Sequence, residues 1–168
     1  MPHSLEIRRL HASDVEDYRT IRLAALKRAA EAFGSVYAVE VTRPLAAMAE
    51  RLASSVVFGA YLDGHIIGMI GLKQEDGPKK AHKGFVWGFY VEPEGRQQGV
   101  ATRLMTTLIE AARSIVEQLT LTVVQENEVA IALYKRFGFT IYGVEPRAHK
   151  TSTGYLDQVL MVLLLQQA

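Results

Sequence analysis

Between residues 84 and 116 the sequence reads as a strand, a turn and a long helix in immediate succession. No other stretch constrains the fold as much. Gly84 to Val91 is rich in aromatic and β-branched residues, and strict alternation puts Phe85, Trp87, Phe89 and Val91 on one face of a strand. Glu92-Pro93-Glu94-Gly95 turns the chain. Past Arg96-Gln97-Gln98-Gly99, the residues Val100, Leu104, Leu108, Ala111 and Ile115 recur at helical spacing. A strand that feeds such a helix begins a βαβ crossover, the connection that parallel strands require.

The flanking segments complete the order. Leu5 to Leu10 is a first strand. Ser13-Asp14-Val15-Glu16 has the form of a capping box and opens a helix over about 13–31. Phe33-Gly34-Ser35 breaks that pattern and starts a loop over about 33–42. Thr42-Arg43-Pro44 starts a second helix, with proline in its first turn. Asp63-Gly64 between Val56–Leu62 and His65–Leu72 is a hairpin signal, since both turn positions favour positive φ. Gln74 to Lys83 reads as an exposed loop. Leu119 to Val124 is a strand, and Ala130, Leu133, Tyr134 and Phe137 mark a short helix that Gly138 closes. Phe139–Tyr142 and Tyr155–Leu165 are the last strands. The order is β-α-α-β-β-β-α-β-α-β-β. It predicts one α/β domain over 1–168, a mixed sheet with an antiparallel meander in front and crossovers behind.

Composition narrows the partners. A formal net charge of +1 gives no bulk field for nucleic acid or an anionic membrane, and neither partner is expected. The absence of cysteine excludes disulfides, thiolate metal sites and a cysteine nucleophile, in keeping with a cytoplasmic protein. The start shows no signal-peptide pattern. The longest apolar run, Val159 to Leu165, is far shorter than the roughly 20 residues of a membrane span. His3, His11, His65, His82 and His149 are scattered without ligand spacing, so no catalytic metal is expected.

The helix opening at Gly99 is the first place where chemistry can be read. Helix N-termini offer unpaired N–H groups and partial positive charge, which suits phosphate oxygens. Gly99 and Ala101 keep side chains out of the way, and Arg96 adds a full charge. A plain turn before an ordinary helix would explain the glycines equally well. A P-loop is excluded for want of a Gly-Lys-Ser/Thr helix start, and the three spaced glycines of a dinucleotide fingerprint are missing. The second place is Asn127 to Phe139. Asn127 can cap the short helix, and Tyr134 either packs as core or offers its hydroxyl to a ligand.

Taken together, these segments resemble the GNAT superfamily of N-acetyltransferases. Arg96, Gly99 and Ala101 match the family's coenzyme motif, Gln/Arg-x-x-Gly-x-Gly/Ala. Asn127, Ala130 and Tyr134 followed by Gly138-Phe139 match its second motif. Pro146-Arg147-Ala148, Tyr155-Leu156-Asp157 to Met161 and, more weakly, Phe33-Gly34-Ser35 are similar as well.

The resemblance implies a mostly antiparallel sheet of about seven strands flanked by about four helices. It implies that acetyl-CoA donates its acetyl group directly to a primary amine. The coenzyme arm would enter between the fourth and fifth strands and pair with backbone at Tyr90 and Val91, where an N–H would polarise the thioester carbonyl. The pyrophosphate would lie on the N–H groups of Gln98, Gly99, Val100, Ala101 and Thr102, near Arg96. Asn127 would hold the arm, and Tyr134 would protonate the leaving thiolate. Glu92, His82, Glu126 and His149 are candidates for the base that frees the amine, each also readable as a solvated loop or strand-end residue. Lys79, Lys80 and Lys83 could guide phosphates or simply be solvated. Acceptor contacts are expected from about 30–45 and from a loop at about 144–154. The acceptor itself stays open: a small molecule (amino acid, polyamine or aminoglycoside-like), or a protein N-terminus or lysine. A coenzyme A-binding sensor without turnover is the non-enzymatic alternative, and a homodimer is possible.

Overall fold

A computed structural model describes residues 3–166. Seven strands form one sheet: β1 (Leu5–Arg9), β2 (Val56–Leu62), β3 (His65–Gln74), β4 (Lys83–Val91), β5 (Gln118–Val124), β6 (Thr140–Thr151) and β7 (Gly154–Leu164). Their spatial order is β1-β2-β3-β4-β5-β7-β6. Every neighbouring pair is antiparallel except β4 and β5. Asp63 and Gly64 both take positive φ, 50° and 83°, as the β2–β3 hairpin requires.

Helices cover both faces. On one, α4 (Val100–Ala112) and α5 (Glu128–Arg136) lie over a core that includes Leu104, Leu108, Val86, Leu121 and Met161. On the other, α1 (Val15–Arg28) and α3 (Leu45–Ser54) cover Tyr18, Ile21, Met48, Val57, Met69 and Tyr90. Helix α4 is the crossover between the parallel strands, as the strand–turn–helix succession predicts. No helix among the described residues is long and apolar enough to cross a membrane.

Several local expectations need correction. The single face assigned to Phe85, Trp87, Phe89 and Val91 of β4 by alternation does not hold, because the strand bulges at Gly88, whose φ is +65°. Before the bulge Val86 packs toward α4 and Trp87 toward α1; after it, Phe89 and Val91 pack toward α4 and Tyr90 toward α1. One extra residue in a strand shifts the pleat and sends later side chains to the opposite face. The capping box lies two residues earlier than expected: the Asp14 carboxylate accepts from the His11 N–H at 2.8 Å, and α1 proper runs only from Val15 to Arg28.

The segment at 33–42 is not all loop, since Tyr37–Glu40 forms a short helix, α2. With it the described residues form five α-helices, one more than the about four expected. Pro44 is the N-cap of α3 and lies outside its first turn. The buried stripe of α4 ends at Ala112, while Ile115 is beyond the helix and 37% exposed.

The expected loop at 144–154 is mostly the second half of β6. Pro146, which has no N–H to give a ladder, and Arg147, at φ 50°, hide that strand in the sequence. The pairing with β7 shifts between Glu145 and His149, and the Arg147 N–H donates to Asp157 Oδ1 at 2.7 Å.

Candidate active site

β4 and β5 pair over three positions only, Lys83↔Gln118, Gly84↔Leu119 and Phe85↔Thr120, and then separate. The bulge at Gly88 bends β4 away at the point where β5 runs on straight against β7. The gap is a cavity of about 600 Å³ that runs across the sheet. Its walls are Phe85–Val91 of β4, Leu121–Val124 of β5 and one side of α5. One end reaches Arg96 and Ala101 at the start of α4, and the other reaches Arg22, the 32–35 segment and His149.

At the α4 end the chain presents backbone. Gly99 is the N-cap of the helix at φ +75°, a left-handed conformation that disfavours any residue with a Cβ. A Cβ built there meets nothing within 4 Å, so the space in front of it is open. Gln97 is left-handed as well, at φ 64°. Alternating left- and right-handed residues turn successive N–H groups to one side, a concavity that suits anions. Among the described residues no acceptor takes the N–H groups of Val100, Ala101 or Thr102. Arg96 is exposed, and its Nε donates to the Val91 carbonyl at 3.3 Å. Of the expected coenzyme residues, Tyr90, Val91, Arg96, Ala101, Asn127 and Tyr134 line the cavity. Gln98, Gly99, Val100 and Thr102 sit beside it, around the helix start.

Tyr134 is part of the core and also part of the cavity wall. Its ring is core, packed against Phe89 and Phe139 with centroids 6.1 and 5.9 Å away. Its hydroxyl makes no hydrogen bond among the described residues, yet it is not sealed from solvent and so opens to the cavity. Burial pushes the phenol up to about 12, so it keeps its proton throughout the neutral range. Asn127 caps α5, with Oδ1 accepting from the Ala130 N–H at 3.2 Å, which leaves its side-chain NH₂ free at the cavity wall.

At the α1 end the chain presents side chains drawn from distant elements. Arg22 is 6% exposed and donates from Nη2 to Ser35 Oγ at 3.1 Å. Phe33 and Trp87 flank its guanidinium, each ring centroid 5.7 Å away. Behind it lies Glu40, 2% exposed, which also pairs with Arg43 and Arg51. Burial alone would raise this carboxyl, but the hydrogen bond and charge of Arg51, followed by Arg22 and Arg43, hold it below the usual range. The ion pairs of Glu40 therefore stabilise the fold above the ordinary carboxylate pKa and are lost as pH falls below it.

Of the four candidate bases, only His149 lines the cavity, next to Gln158 at 3.2 Å and beside Gly34. Glu92 is buried in an ion pair with Arg28 and a contact from the Tyr90 hydroxyl at 3.3 Å. His82 and Glu126 lie outside the cavity lining, as do Lys79, Lys80 and Lys83. No group of His, Asp and Glu among the described residues could hold a metal ion.

Arg22, Trp87 and Gln158 were not singled out from the sequence. A signal did exist for Arg22: it falls four residues after Tyr18 and three before Ala25, a charged residue on the buried stripe of α1.

Comparison with known proteins agrees with this architecture. A family model described as the acetyltransferase (GNAT) family matches residues 22–139. The L-amino acid N-acetyltransferase AaaT of Escherichia coli (strain K12) is 30% identical over 104 residues, which cover 61% of this chain and 64% of that protein. The chain thus matches just under two thirds of that relative's length. An acetyltransferase of the GNAT family from Streptococcus pneumoniae superimposes with a TM-score of 0.86 at 22% identity, covering 96% of this chain and 100% of that one. The structure of yncA from Salmonella typhimurium with its cofactor acetyl-CoA gives a TM-score of 0.81 at 21% identity, covering 98% and 96%.

Proposed function

The chain belongs to the acetyltransferase (GNAT) family, and from that premise we propose that it transfers the acetyl group of acetyl-CoA directly to a primary amine of a small molecule. One observation carries the proposal. The parted strands open a cavity that joins an anion-accepting helix start to a buried, protonated and unpartnered phenol. The E. coli relative named for L-amino acids supports a small acceptor. The whole chain acts as one domain in this proposal, with both ends of the cavity served by a single sheet. Cytoplasmic residence is part of the same proposal.

The residue roles proposed are those the family resemblance implies, and the shape of the cavity supports them. The N–H groups of Gln98 to Thr102, together with Arg96, take the pyrophosphate of the donor. Backbone at Tyr90 and Val91, on the side of β4 that has lost β5, pairs with the arm as an added strand. Asn127 holds the arm with its free amide. A neutral amine adds to the thioester carbonyl, forming the C–N bond and an oxyanion, and collapse of that adduct breaks the C–S bond and releases the thiolate. A backbone N–H near Val91 stabilises the oxyanion. His149 takes the proton that the ammonium must lose, and Tyr134 gives its proton to the leaving thiolate.

Tyr134→Phe tests this directly. It keeps the packing against Phe89 and Phe139 and removes only the acid. We expect kcat, followed as free thiol release over a panel of amines and peptides, to fall about 100-fold with the coenzyme Kd unchanged. Unchanged turnover would remove Tyr134 from the chemistry. Coenzyme binding without turnover on any acceptor would turn the reading to a sensor.

A further inference from the structure

The acetyl-transfer reading leaves one buried cation without a task. Arg22 lines the acceptor end of the cavity at 6% exposure. Its Nη2 is engaged by Ser35. Its Nε lies 3.6 Å from Glu40 Oε1 but forms no hydrogen bond. Its Nη1 has no protein acceptor among the described residues and is not sealed from solvent. That nitrogen stands 3.8 Å from the point where a Cβ on Gly88 would lie, so the missing side chain at the bulge leaves it facing the gap.

The charge count leaves the same need. One carboxylate, Glu40, is shared by three guanidinium groups, Arg22, Arg43 and Arg51. Arg43 and Arg51 are not part of the cavity wall. Arg22 therefore brings only partly compensated positive charge to a confined site, and buried charge of this kind favours a further counter-ion. Phe33 and Trp87 flank the guanidinium, and of its nitrogens Nη1 is left as the available donor.

We infer that Arg22 is the anchor for a carboxylate on the acceptor, so that the substrate class is an α-amino acid or another amine with a carboxylate one carbon away. The inference rests on the acetyl-transfer reading and adds to it the group that selects the acceptor. A single charged donor, Nη1, matches a carboxylate better than a phosphate, which would call for a second unpaired cation. Nη1 sits at Gly88, within the β4 segment that frames the thioester. A carboxylate held there brings an amine on the same small molecule to the segment that frames the acetyl carbon. The same charge repels polyamines and aminoglycoside-like cations. The 33–35 segment ties the end together. Phe33 flanks Arg22, Ser35 accepts from it, and Gly34 lies beside His149, where a Cβ would be 3.3 Å from Nε2.

The test uses the full chain and matched acceptors: an α-amino acid, its carboxamide and its decarboxylated amine, each followed by thiol release. The acid should exceed both partners about 100-fold in kcat/KM, the range expected for a charge-assisted pair. Arg22→Gln should raise KM for the acid by about the same factor with a smaller change in kcat, and shrink the preference for acid over amide. Arg22→Lys should recover part of the affinity, and because it keeps a charge against Glu40 it serves if the glutamine variant fails to fold. Coenzyme A affinity, measured by calorimetry, should stay within about twofold in both variants. Equal use of acid, amide and amine by the natural protein would overturn the role of Arg22 while leaving acetyl transfer intact. Undiminished preference for the acid in Arg22→Gln would do the same. Turnover of no acceptor at all, with coenzyme still bound, would instead sink the underlying reading.

Discussion

At the α4 end of the cavity the protein offers main chain: a left-handed glycine, a run of unpaired N–H groups and strand edges that have lost their neighbour. At the α1 end it offers side chains: a guanidinium from α1, rings from the 33–35 segment and β4, an imidazole from β6 and an amide from β7. The first plan needs residues in one short stretch at fixed spacing, because the geometry of one turn creates it. The second needs residues brought together from across the chain. A backbone site therefore suits a ligand part that never changes, such as a coenzyme. A side-chain site can be altered one residue at a time without disturbing the fold, which suits the partner that varies.

This contrast can be broken by substitution, and the largest effect is expected at Gly99. Gly99→Glu should weaken coenzyme A binding at least about 100-fold through charge repulsion, with Gly99→Ala as the control. Alanine shares the left-handed strain, roughly 1–2 kcal/mol, but not the charge. A calorimetric Kd equal to that of the natural protein in a folded Gly99→Glu variant would remove the phosphate site.

The next effect belongs to the other end. A Cβ on Gly71 would lie 2.4 Å from the Trp87 ring, so Gly71→Ala must displace the indole that flanks Arg22. We expect a loss of about 1–3 kcal/mol in unfolding free energy. Acceptor KM should rise several-fold while coenzyme affinity holds. Equal damage to both ends would show that the cavity does not divide as described.

The smallest effect is expected at Asn127, which serves both fold and site. Asn127→Ala removes the cap on α5 and should cost about 1 kcal/mol in chemical denaturation. Coenzyme affinity should fall by less than about tenfold, the loss of a single neutral hydrogen bond. Asn127→Asp keeps the cap acceptor and loses the amide donor, so it separates the two roles.

What the sequence made legible follows the same division. Arg96, Gly99, Ala101, Asn127 and Tyr134 stand at short-range spacings, and the element order can be read from periodicity and turn residues. The bulge at Gly88 could not be read, because glycine in a strand is compatible with either a regular pleat or a break, and that choice reversed the faces of Phe89 and Val91. The second half of β6 was hidden by Pro146 and by Arg147, whose left-handed conformation is supported by a partner ten residues away, Asp157. Arg22 and Trp87 meet only through tertiary packing. The local traces of the acceptor end were the expected 30–45 and 144–154 segments with His149, and a charge, Arg22, on a helix face that is otherwise apolar.

The three-position contact between β4 and β5 has a further meaning. A sheet gains from every rung it closes, and here the remaining rungs are left unmade where the walls of the cavity stand. Changes that zipped the two strands further would yield a sturdier molecule with its mouth shut. At this seam selection for robustness and selection for work pull in opposite directions. A search for heat-resistant variants of this chain should therefore leave Val86 to Val91 and Leu121 to Val124 alone and look for gains at the outer strands.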